Sequence, residues 1–124
     1  MKYYVVDAFA DKVFEGNPAG VCIMNDWITD ELMQNIAIEN NLSETAFAVK
    51  EGAHYQLRWF TPGGEINLCG HATLATAFII LNYYEMQLDR VKFSTISGEL
   101  TVNMQGDLYE LDFPSVPSEE ISIT

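Results

Sequence analysis

Apolar side chains recur along this chain in two rhythms. Alternating or β-branched runs at 2–9, 21–24, 45–50, 55–61, 92–97, 99–104 and 108–113 predict strands. Two other stretches predict helices. Ile28, Leu32, Met33, Ile36, Ala37 and Asn40 share a face at helical spacing, which gives an amphipathic helix over about 30–40. Thr29 is its N-cap, Asp30 and Glu31 suit the positive first turn, and Asn40 and Asn41 close it. The second helix, about 68–84, has Asn82 as the one strongly polar side chain between Leu74 and Tyr84. A helix apolar on every side has to be wrapped by protein. Turn chemistry separates the strands at Glu15–Gly20, Glu51–His54, Gly98 and Gln105–Asp107.

This order of elements predicts an α+β fold, with an antiparallel sheet curled around the buried helix, rather than a parallel βαβ repeat. Residues 1–113 are expected to form one domain. The stretch 114–124, with two prolines and three serines, reads as a linker or tail.

Charge narrows the partners. Eighteen acidic residues against six basic ones leave a net charge of −12, and the bases form no cluster. Nucleic acid and anionic membrane are therefore excluded as expected partners. Met1–Asp7 lacks the apolar stretch of a signal peptide, and the apolar run at 68–84 is about one turn short of a membrane span. A cytoplasmic location is expected, with Cys22 and Cys69 as free thiols. Cys22, Cys69, His54 and His71 show no ligand spacing such as C-x-x-C, so no metal is expected, and no phosphate loop points to a cofactor.

The chemistry concentrates in Phe60–Thr73, where a Pro-Gly-Gly turn, Cys69 and His71 precede the buried helix. The first turn of that helix would hold Gly70, His71 and Ala72. Its free backbone N–H groups and positive dipole end suit a small anion despite the net negative charge.

Several segments, in order, resemble the phenazine-biosynthesis-protein-like isomerases, relatives of diaminopimelate epimerase. They are Asp7-Ala8-Phe9, Gly16–Val21, Ser43–Phe47, Arg58–Pro62, Glu65-Ile66, Cys69–Ala75 and Ser97–Leu100. The resemblance implies two similar lobes, each a sheet curled around a central helix, with the active site between the helix tips. This chain matches the first lobe and ends at the inter-lobe linker, so the residues of a second lobe are missing from it. It implies an isomerase half acting on a small carboxylated molecule without a cofactor, completed by a homodimer partner or a separate second-lobe chain. The alternative is a catalytically incomplete fragment or an interaction module that self-associates through its exposed cleft face.

Site roles follow from the same resemblance. Glu44 matches the glutamate that moves a proton on and off a substrate carbon, a task that suits a partly buried carboxylate. Gly70 and His71 would hold the substrate carboxylate. Cys69 matches the thiol of the epimerases, but the Glu44 motif points to the isomerase branch, and a small apolar helix residue is the favoured reading there. Asn17 and Thr73 complete the substrate-binding set, each beside a plainer reading as a turn residue and as a hydroxyl bonded within the first helical turn. Arg58, Glu65 and Asp7 are read as structural.

Overall fold

The structure, a computed structural model, describes residues 2–6, 18–106 and 108–112. Eight strands form one mixed sheet. They are β1 (Lys2–Val6), β2 (Ala19–Met24), β3 (Glu44–Glu51), β4 (His54–Thr61), β5 (Gly64–Ile66), β6 (Arg90–Thr95), β7 (Gly98–Gln105) and β8 (Leu108–Asp112). The spatial order is β1-β2-β3-β4-β6-β7-β8, with β5 on the edge of β4. All seven expected strands are present, and Ala19 and Gly20, read as turn residues, open β2. The three-residue β5 was not foreseen, because its glycine reads as punctuation. Thr61 makes the connection: its hydroxyl accepts from the Gly63 N–H and donates to the Gly64 carbonyl, and Gly64 takes φ 146°, which its missing Cβ permits.

The expectation of an antiparallel sheet needs correction at two places. β2 pairs parallel with β3, and β4 pairs parallel with β6. In each case a helix lies between the paired strands in the chain, as a parallel pairing requires. Helix α1 (Asp30–Asn40) links the first pair, and α2 (Gly70–Ile79) links the second.

The two helices serve separate cores. Met33 and Ala37 of α1 pack with Cys22, Met24, Phe47, Val49 and Phe60. The α2 side buries Val21, Ala46, Leu57, Trp59, Phe93 and Val102 with Ala72, Ala75 and Ala77. Alternate residues of β2, β3 and β4 thus belong to opposite cores, which explains why β2 is buried along its whole length. Small residues in α2 let the sheet close around it.

Helix boundaries follow local chemistry. Thr29 caps α1 by accepting from the Leu32 N–H at 3.1 Å, and Asn41 ends it in the left-handed conformation at φ 53°. The expected helix at 68–84 is shorter and composite. Cys69 is its N-cap, α2 runs to Ile79, and Ile80–Tyr84 is a π-helical turn closed by Glu85 N–H on the Ile80 carbonyl at 2.7 Å. Tyr83 stacks on Tyr4, and the Tyr84 and Tyr4 hydroxyls meet at 2.8 Å. The expected tail, with strand residues 7–9 and 113, falls outside the described residues.

Candidate active site

Chain path brings Glu44 and the tip of α2 together. After the left-handed turn at Asn41, Glu44 opens β3, opposite Ala19 of β2. α2 begins across the sheet with Gly70 and His71. The approach to α2 is held from the other side, where the Ser97 hydroxyl of the β6–β7 turn donates to the Asn67 carbonyl at 2.6 Å.

There Glu44 Oε1 lies 2.7 Å from His71 Nε2, with 18% and 23% of the two side chains exposed. On the opposite edge of the same imidazole, Nδ1 sits 3.8 Å from Cys69 Sγ. The ring therefore stands between a carboxylate and a sulfur. Its pKa is raised to about 10, first by the contact with Cys69 and then by Glu44, against the opposing effect of burial. A shift of that size makes His71 an imidazolium at neutral pH, with a proton on each ring nitrogen.

Cys69, Glu44 and His71 offer ligand atoms within 4.8 Å of one another, a proximity invisible in their sequence spacing. Each edge of the imidazole already faces one of the other two groups, so a metal would have to turn the ring out of these contacts. The arrangement serves proton transfer without such a movement.

Gly70 and His71 are half-buried at the helix tip, where the first-turn N–H groups of α2 point away from the helix body. An imidazolium and a helix N-terminus converge on the same spot, and both attract a carboxylate. Glu44, Cys69, Gly70 and His71 are thus brought together at the tip of α2. Thr73 is not part of that surface. It is 0% exposed, and its hydroxyl donates to the Cys69 carbonyl at 2.8 Å, so it lies behind the site and cannot touch a ligand there. Asn17 falls outside the described residues.

The sequence reading missed Trp59. Its indole N–H donates to the Thr73 hydroxyl at 3.0 Å, both residues being fully buried. A tryptophan in a core strand always raises the question of where its N–H goes, and that question could have pointed to Thr73. Arg58, read as structural, is engaged within the fold. Its guanidinium is forked onto Glu65 at 2.8 and 2.9 Å and reaches Asp30 at 3.0 Å, tying β5 and the start of α1 to β4. A surface hollow lined by Trp27, Gln56, Arg58, Glu65, Ser94 and Thr95 shares no residue with the Glu44–His71 pair.

A curled mixed sheet around one helix is the fold shared with one lobe of PhzF-type and epimerase-type structures. The chain belongs to the phenazine biosynthesis-like protein family, whose model matches residues 6–123. A Pseudomonas aeruginosa protein named as an uncharacterized isomerase is 53% identical over 112 residues, covering 90% of this chain and 43% of that protein. The Homo sapiens phenazine biosynthesis-like domain-containing protein is 40% identical over 123 residues, covering 93% of this chain and 43% of its own. The crystal structure of an Enterococcus faecalis PhzF-family protein superposes with a TM-score of 0.84 at 57% identity, over 98% of this chain and 47% of that one. A predicted epimerase of Pseudomonas aeruginosa, at 22% identity and TM-score 0.70, shares the fold. The chain spans less than half the length of these relatives. Among the described residues no helix is long and apolar enough to cross a membrane.

Proposed function

We propose that this chain is the proton-transferring half of a cofactor-independent isomerase acting on a small carboxylated molecule. The observation that carries the reading is the 2.7 Å contact between Glu44 and His71 at the N-terminus of α2. The substrate carboxylate docks against the Gly70 and His71 N–H groups. Glu44 takes a proton from a neighbouring carbon, and the helix tip with the His71 imidazolium offsets the negative charge that develops. Glu44 then returns the proton to a different carbon of the conjugated system. The product is an isomer, so no oxidant, water or group donor is consumed.

A facing wall is needed to exclude water and hold the other side of the substrate. The relatives are about twice as long, and a second lobe, whether of the same polypeptide, of a second copy or of a separate chain, would supply it. For this lobe by itself the proposed form is a two-fold dimer in the cell interior, which would close the site on association. Sedimentation over a range of concentrations tests that step. A second reading, an interaction lobe without catalysis, is favoured by Leu68, an apolar side chain left 40% exposed next to the site.

Deuterium incorporation from solvent into a panel of unsaturated carboxylates separates the two. The isomerase reading expects incorporation that falls at least about 100-fold in Glu44→Gln. Incorporation that survives this substitution rejects Glu44 as the base. Association without incorporation by the unmodified chain leaves the interaction lobe.

A further inference from the structure

Behind the helix tip runs a hydrogen-bond chain that the proposed chemistry does not use. Trp59 of β4 donates from its indole N–H to the Thr73 hydroxyl at 3.0 Å, and that hydroxyl donates to the Cys69 carbonyl at 2.8 Å. The same carbonyl accepts the Thr73 backbone N–H at 3.1 Å. Trp59 and Thr73 are fully buried, and Trp59 is locked in the sheet opposite Ala46 of β3 and Ile66 of β5. Cys69 is the N-cap of α2 yet contributes no side-chain cap, so its carbonyl is the point where the tip is fastened.

We infer that Trp59 and Thr73 are positioning residues, which fasten the Cys69 peptide to the sheet and thereby set His71 against Cys69 Sγ and Glu44. The inference rests on the proposed role of the Glu44–His71 pair for its functional meaning, but its geometry stands without it. Rotation of the Cys69 peptide moves the sulfur and the start of the helix together. Because Glu44 hangs from β3, and Trp59 sits opposite Ala46 of that same strand, the chain ties both halves of the pair to one sheet.

The neighbouring turn provides an internal control. Thr76 is also fully buried and donates to the Ala72 carbonyl at 2.7 Å, with the same bond type one turn further on and no link to Cys69. NMR titration of the His71 imidazole in the full chain reads the geometry directly and needs no substrate. Thr73→Val is expected to lower the His71 midpoint by about one unit or more, Thr73→Ser to restore it, and Thr76→Val to leave it in place. Trp59→Phe, which removes the indole donor together with part of the ring volume, should shift the midpoint in the same direction as Thr73→Val. Should Thr73→Val fail to fold, the comparison of Trp59→Phe with Thr76→Val decides. An unmoved midpoint in Thr73→Val and Trp59→Phe, or an equal shift in Thr76→Val, overturns the inference. Loss of deuterium exchange in Glu44→Gln with these midpoints unchanged would keep the catalytic reading and sink only this one.

Discussion

Replacing Glu44 by glutamine keeps the shape of the side chain and removes the charge that faces His71. His71 titrates near 10 in the folded chain against an ordinary value of 6.5. Each unit of such a difference corresponds to about 1.36 kcal/mol of preference for the proton in the folded state. The ring is 23% exposed, and screening by water reduces the full conversion to about 2 kcal/mol of stability. Because the folded-state pKa is raised, that contribution is complete below the unfolded value of about 6.5. It declines as pH rises and is gone above about 10. Glu44→Gln should lower the His71 midpoint, because it removes one of the two contacts that raise it. It should also flatten the fall in stability between about pH 6.5 and 10. The assay is imidazole NMR across that range, paired with urea unfolding at its two ends; the chain has only two histidines, so the resonances are readily assigned. A midpoint near 6.5 in the unmodified chain, or one that Glu44→Gln does not move, refutes the ion pair as the organising contact of the site.

Three further outcomes test the surrounding structure. Phe93 is fully buried in the α2 core, and Phe93→Ala should cost roughly 3–5 kcal/mol in urea unfolding; a loss below about 1 kcal/mol would mean the core is not packed as described. Thr29→Ala removes the one side-chain cap of α1 and should cost about 1 kcal/mol, with no change in the His71 titration. Burial pushes the Cys22 thiol up to about 12 and leaves it 1% exposed, whereas Cys69, at the start of α2, is 8% exposed. Iodoacetamide at neutral pH should therefore label Cys69 well before Cys22, and peptide mapping that finds the reverse order would contradict the placement of both.

Much of the fold was legible because it depends on local rules. Strand alternation, the Thr29 cap and the closing asparagines each operate within a few residues, and the structure obeys them. The direction of strand pairing does not. Whether β2 meets β3 parallel or antiparallel depends on where α1 packs, and the α1-side core of Phe47 and Phe60 settles it from residues far apart in sequence. The split of the 68–84 run into α2 and a π-helical turn was equally hidden, since an apolar string carries no mark of its hydrogen-bond step.

For the site, residue types and motif order by themselves singled out a helix N-terminus, His71 and Glu44 as candidates, with Cys69 read first as a small apolar helix residue. Only the tertiary structure decided their relations: Glu44 against one edge of His71, Cys69 against the other, and Thr73 turned inward beneath them. The physical reason is distance. Glu44 and His71 are separated by the strands β3, β4 and β5 and their turns, and a 2.7 Å contact across that interval exists only once the sheet has curled around α2.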